Sequence, residues 1–324
     1  MFGLVPVLLL VIRPAFGSLP AGDWADGRTR LMARFGGLAG AALIASAVAT
    51  GIGLVLQVIL LSSLQGGEIS GSAVAAVADT SFGRWYLLRL PLLAALAVLL
   101  LGRIQQWSLG GLGGRHDGPT TLWWVAWAGL GLALLSTSTF SGHAAVASPR
   151  VVAIVNDVVH LVSVATWFTG IIVLAVALPD GWIGRTPADR LLLLAPSVLR
   201  FSQVAFVSIT VAAITGTINS LLNVGALGDM LETAYGQVLT VKIGVFGLLL
   251  AIGGVNHFYL RHQMIEALAA GRPTRAQPLF RKTIAAELAI GLAIMGITGI
   301  LTGQARTRQD AASGGAAVSS ESRP

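Results

Sequence analysis

Residues 79–89 read DTSFGRWYLLR, and residues 232–242 read ETAYGQVLTVK. Each stretch places an acid, a Thr, an aromatic and a Gly at the same spacing. Each then runs into an apolar segment carrying one basic residue, Arg89 or Lys242. The match extends outward. Arg34-Phe35 opens one apolar stretch and Arg200-Phe201 another, while Ser141-Gly142-His143 and Thr302-Gly303-Gln304 close two more. Chance similarity between apolar helices does not readily match non-apolar positions. The pattern predicts two four-helix copies, residues 1–140 and 141–302. Four crossings is an even number, so both copies insert in the same orientation, a parallel repeat about an axis along the membrane normal.

Composition places those helices in a bilayer. The chain has 324 residues, of which 55% are hydrophobic and only 11% charged, and its mean hydropathy is +0.79. A soluble domain carries about 25% charge, so this chain cannot cover itself with polar surface and reads as an all-α polytopic membrane protein. The absence of Cys excludes disulfides, Cys zinc sites and thiolate copper sites. The net charge of +7 comes from single basic residues scattered between apolar spans, a topology signal rather than a nucleic-acid footprint.

Long apolar spans are predicted over 36–64, 85–102, 121–140, 151–178, 200–223, 236–259 and 283–302. With the shorter run FGLVPVLLLVI at 2–12, they make eight helices. Fourteen Lys and Arg fall in one alternating set of loops, within 13–34, 103–115, 185–200 and 261–282. Five fall on the opposite side, at Arg84, Arg150, Arg306, Arg308 and Arg323. The positive-inside rule puts the richer set in the cytoplasm, so both termini are expected on the periplasmic side. A cleaved signal peptide over 2–12 would place Arg13 to Arg34 outside, so that run is read as a membrane helix. The offset of the repeat aligns Met1 with Trp167, leaving about half of the fifth span without a counterpart. The first helix is therefore expected to be a half-span, or the native chain to begin upstream. Residues 303–324, small and polar, read as a disordered periplasmic tail.

From the fifth span onward the chain is similar to a known family. SGHAAVASPRVVAIVNDVVHLVSVATWFTGIIVL at 141–174 resembles the copper resistance protein D family, which has a Gly-His-Ala element followed by a D-x-x-H-x(6)-W helix. The matching residues are Gly142-His143-Ala144, then Asp157, His160 and Trp167. The spans beginning RFSQVAFV, TAYGQVLT and AAELAIGL match the helices that follow. The resemblance covers 140–302 well and the first half more loosely. It implies an inner-membrane protein that handles copper, with a periplasmic copper-binding protein as a possible partner beside the bilayer itself. It does not imply an enzyme.

His160 lies about ten residues into its span, roughly 15 Å at 1.5 Å per residue, with Asp157 one turn above and Trp167 two turns below. An ionisable pair at that depth is a candidate site. The carboxylate is placed to fix the tautomer of a metal-binding imidazole. The competing reading is a His–Asp pair that locks helices together. Copper(I) prefers Cys and Met and accepts imidazole, so the candidate ligands are His143, His160 and Met295. Arg89 and Lys242 lie about 9 Å inside the outer ends of their helices. Either they snorkel outward or they hold an anionic partner. Asn256, His257 and Glu287 form a polar cluster near the cytoplasmic side, as an inner exit, a proton site or a packing device. Two other functions remain in play. One is a b-type haem or quinone-linked redox protein, with His143 and His160 as axial ligands and Arg89 and Lys242 on the propionates. The other is a structural subunit of a membrane complex. No G-x-x-x-x-G-K-[ST] loop is present, so ATP-driven transport is not expected.

Overall fold

A computed structural model describes residues 1–19, 24–64, 71–109, 121–142, 149–223, 228–272 and 274–302. His143 and the tail expected over 303–324 lie outside them. The described elements are all helical. In chain order they are α1 (Leu4–Gly17), α2 (Ala25–Leu64), α3 (Gly71–Asp79), α4 (Ser81–Leu109), α5 (Thr121–Ser141), α6 (Arg150–Trp182), α7 (Pro187–Asn223), α8 (Asp229–Glu232), α9 (Ala234–Ala269) and α10 (Ala276–Thr302). Seven of these, α2, α4, α5, α6, α7, α9 and α10, are long and apolar enough to cross a membrane; α1 is a shorter apolar helix. The chain is thus an all-α polytopic membrane protein. Large apolar side chains such as Leu56, Val98 and Phe206 stand exposed along the spans, a surface that only a lipid solvent makes inexpensive.

Several helices run past the predicted spans. α2 begins at Ala25, well before the apolar run that opens at 36, because Asp, Arg and Thr are compatible with a helix even where lipid ends. That charged extension also has a partner. Arg34 Nε lies 3.5 Å from Asp180 Oδ2, and Arg30 Nε donates to the Asp180 carbonyl at 3.2 Å. These contacts tie the start of α2 to the end of α6. The C-terminal part of α9 likewise packs on the start of α7. α9 ends in a Schellman turn: the Arg272 N–H donates to the Ala267 carbonyl and the Gly271 N–H to the Leu268 carbonyl. Gly271 takes φ +61, which an L side chain would resist.

α1 sits in the middle of the protein. Leu4, Val5, Val7, Leu8, Val11, Ile12 and Ala15 are all buried, and the helix packs on α5, α6 and α7. An apolar helix without a polar face is stable only when surrounded. Its first residues fit tightly. A Cβ on Gly3 would collide with the Ala165 carbonyl and the Thr169 side chain, and one on Gly131 would come within 3.1 Å of Phe2 Cα.

The two similar stretches fold into the same local device. A short helix, α3 or α8, stops, and a Thr caps the long helix that follows. Thr80 Oγ1 accepts from Gly83 N at 2.9 Å and donates to the Val77 carbonyl at 2.7 Å; Thr233 Oγ1 accepts from Gly236 N at 3.0 Å and donates to the Asp229 carbonyl at 2.6 Å. A Cβ on Gly83 or Gly236 would run into the carbonyl of Val77 or Asp229. The Thr-x-x-Gly spacing therefore breaks the helix and restarts it with its backbone close against the preceding turn.

Candidate functional site

The site is built on α6, whose residues Asn156, Asp157 and His160 share one stretch of two turns facing α7 and the end of α5. Asp157 is fastened from both sides. Thr139 Oγ1 on α5 donates to Asp157 Oδ2 at 2.7 Å, and Asn219 Nδ2 on α7 donates to Oδ1 at 3.3 Å. Asn156 Nδ2 donates to Asn219 Oδ1 at 2.8 Å and to the Thr215 carbonyl at 2.9 Å. Asn219 therefore holds both neighbours, using its oxygen for Asn156 and its amide for Asp157.

His160 is positioned by α7. Its Nδ1 lies 3.1 Å from the Ala212 carbonyl and 3.0 Å from Thr215 Oγ1. A carbonyl only accepts, so Nδ1 carries the proton. Thr215 directs its own hydrogen to the Val211 carbonyl at 2.6 Å, leaving its oxygen free to accept as well. The neutral ring then presents Nε2 as its lone-pair nitrogen. Gly216 makes room for the ring, since a Cβ there would come within 3.2 Å of His160 Cε1.

This arrangement corrects the sequence reading in one respect. The tautomer is set by the Ala212 carbonyl and not by Asp157, whose oxygens go to Thr139 and Asn219. The site is centred between α6 and α7, with α5 contributing Thr139. Asp157, His160 and Lys242 on α9 are near enough to influence one another electrostatically.

The other candidates divide. Arg89 is fully engaged: its Nε donates to Thr137 Oγ1 and an Nη to Ser138 Oγ, both at 2.8 Å, and its guanidinium lies 4.0 Å over the Tyr86 ring. Arg89 is thus bound to hydroxyls, whereas Lys242 lies within electrostatic reach of Asp157 and His160. Met295 is 38% exposed on α10. Trp167 is buried; with Phe168 it packs α6 against α10 at Gly291, where a Cβ would lie 2.6 Å from Phe168 Cε2 and 3.5 Å from Trp167 Cη2. Among the described residues no three His, Cys, Asp or Glu side chains form a metal cage.

At the other end of the bundle, Asn256 Nδ2 donates to Glu287 Oε1 at 2.6 Å, and Thr283 Oγ1 donates to Asn256 Oδ1 at 2.5 Å. His257 turns the other way, with Nδ1 2.6 Å from Ser202 Oγ and its ring stacked on Phe206. Consecutive residues thus reach α10 and α7, and both lie in Val255–Leu260, a π-helical turn within α9, a feature often found where function needs it. Thr139, Asn156, Thr215, Asn219, Ser202 and Thr283 were not singled out from sequence. Only the intramembrane Asn156 and Asn219 carried a signal there, since Ser and Thr are common in membrane helices.

The fold and this network define a class: a helical membrane protein with an imidazole and a carboxylate held inside the bilayer. Two family models match the chain, "Copper resistance protein D-like, N-terminal domain" over residues 1–150 and "Copper resistance protein D" over residues 195–301. The chain belongs to the copper resistance protein D family and is a copper-related membrane protein. Among curated relatives, it is 28% identical over 266 residues to a protein of Bacillus subtilis (strain 168) named copper transport protein CutJ, covering 80% of this chain and 44% of that one. It is 26% identical over 171 residues to copper resistance protein D of Pseudomonas syringae pv. tomato, covering 52% of this chain and 54% of that one. The chain therefore spans about half the length of the curated relatives it matches. No solved structure matches it. Asp157, His160 and Trp167 fall between the two matched segments, whereas Thr215, Asn219, Lys242, Asn256 and Glu287 fall within the second.

Proposed function

We propose that this chain accepts copper on the outer side of the bacterial cytoplasmic membrane and delivers it at or across that membrane, without enzymatic turnover. The observation that carries the reading is His160: its Nδ1 proton is committed to the Ala212 carbonyl, so Nε2 is offered as a lone pair inside a membrane span. A metal-ligating imidazole is typically oriented by a hydrogen bond of this kind on its other nitrogen. With no Cys in the chain, imidazole and the Met thioether are the copper ligands left, and His160 is an imidazole held inside a span. Asp157 supplies negative charge one turn above, favouring entry of a cation. The name of the Bacillus relative, a copper transport protein, supports the same role. The excess of Arg and Lys at alternate helix ends supports a topology with both termini on the periplasmic side, where a periplasmic copper-binding protein would hand over its ion past His143.

The test is copper binding by the purified full chain in detergent or lipid. His160→Ala is expected to abolish it while helical content and thermal unfolding stay close to wild type. His143→Ala is expected to slow binding and leave its equilibrium extent nearly unchanged. Copper bound as tightly by His160→Ala as by wild type would reject the reading. An absorption spectrum of the same sample separates the haem alternative, which requires a Soret band.

A further inference from the structure

Glu287 is a buried carboxyl group that copper binding at His160 does not use. It is only 5% exposed, on a helix long and apolar enough to cross the membrane. Its Oε1 accepts one hydrogen bond, from the neutral amide of Asn256, itself 8% exposed. α9 closes one side, where a Cβ on Gly253 would lie 3.7 Å from Oε1; one turn further along α10, Phe168 and Trp167 close over Gly291.

Among the described residues, the charged and titratable groups on the elements packed around it make no bond to it. His257 is bonded to Ser202, and the buried Arg261 Nε has no hydrogen-bond partner. His262 pairs with Glu266 at 3.1 Å on the exposed side of α9. Lys242 lies on the outer half of α9 and acts on Asp157. Arg281 and Lys282 are exposed in the first turns of α10, and α6 presents Trp167 and Phe168. Among the described residues no cation pairs with Glu287.

An unpaired carboxylate in such surroundings is far more expensive than the neutral acid. One neutral amide donor does not replace a counter-ion. The π-helical turn that carries Asn256 also carries His257 and leads directly into the Arg261–Ala269 turns of α9, where the sequence turns polar at Arg261-His262-Gln263.

We propose that Glu287 is a membrane-embedded proton site: it holds a proton in this conformation, releases it to water at the Arg261 end of α9, and takes one up again as copper moves. The step is a simple ionisation: the carboxyl O–H bond breaks, the proton goes to solvent, and Asn256 Nδ2 remains as donor to the carboxylate left behind. The coupling to copper rests on the transport reading above, whereas the proton site does not.

Infrared spectroscopy of the full chain in lipid tests the site directly. Wild type is expected to show a protonated carboxyl stretch at neutral pH that disappears on alkaline titration, is absent in Glu287→Gln, and shifts in Glu287→Asp. A wild-type spectrum without this band, or a band unchanged in Glu287→Gln, overturns the proposal. Glu287→Asp keeps the test valid if the amide variant fails to fold. Copper uptake into proteoliposomes then tests the coupling. An imposed pH gradient should change the wild-type initial rate several-fold and leave the Glu287→Gln rate unchanged; a wild-type rate indifferent to the gradient overturns the coupling. If no copper moves at all, the transport reading fails, and the infrared result still decides whether Glu287 binds the proton.

Discussion

His160 on α6 gives its Nδ1 proton to the carbonyl of Ala212 on α7, 3.1 Å away. A helix carbonyl in a later span thereby chooses the tautomer of the imidazole and leaves Nε2 as the nitrogen that can meet an ion. Protonation of Nε2 removes that lone pair, so copper binding should fall as pH is lowered and return when pH is restored. Copper titrations across a pH series check this. The same titrations on His160→Ala should show no such step above background.

Asn219 is the residue that joins the site's acid, Asp157, to the Asn156 amide. Asn219→Leu should release Asp157 Oδ1 and leave the Asn156 amide without one partner, lowering stability by about 1–2 kcal/mol. Copper affinity should drop about tenfold, the lower end of the range for partners that orient a metal site. Thermal unfolding and copper titration on the same preparation measure the two effects. Asp157→Asn should weaken copper binding by about 10–100-fold.

The Thr caps should be separable from the Gly contacts beside them. Thr233→Val removes the acceptor for Gly236 N and should lower stability by about 1 kcal/mol, leaving an assembled protein. Gly236→Ala pushes a methyl into the Asp229 carbonyl and should sharply reduce the folded yield. The same contrast is expected of Thr80→Val and Gly83→Ala. Membrane-fraction yield and melting temperature distinguish them.

Arg89 should tolerate loss of charge better than loss of shape. Arg89→Lys keeps the cation but cannot reach Thr137 and Ser138 together while covering Tyr86, so it should destabilise by about 1–2 kcal/mol. Copper binding per folded molecule should stay at the wild-type level. A large fall in copper affinity would show instead that Arg89 belongs to the His160 site.

Much of the architecture was legible in the sequence because bilayer thickness writes itself into apolar run lengths. The spans from 85 and 121 correspond to α4 and α5, and those from 36, 200 and 236 lie inside α2, α7 and α9. The helix ends were misjudged where charged turns continue outside the lipid, as at Ala25 and Arg261. The family and the candidate pair Asp157 and His160 were also visible, since an acid and an imidazole one turn apart stand out against apolar neighbours.

By itself, the sequence determined that this chain is a bundle of membrane helices, where its two matched Thr-x-x-Gly stretches fall, and which ionisable groups lie in the spans. Tertiary structure alone decided their partners. It assigned Asp157 to Thr139 and Asn219, His160 to Ala212, Arg89 to Thr137 and Ser138, and Glu287 to Asn256. It also left Met295 exposed on α10. The physical reason is geometric. Apolarity and helical period constrain one helix at a time, whereas a hydrogen bond between spans depends on the rotation and depth of two helices, which only packing against their neighbours sets.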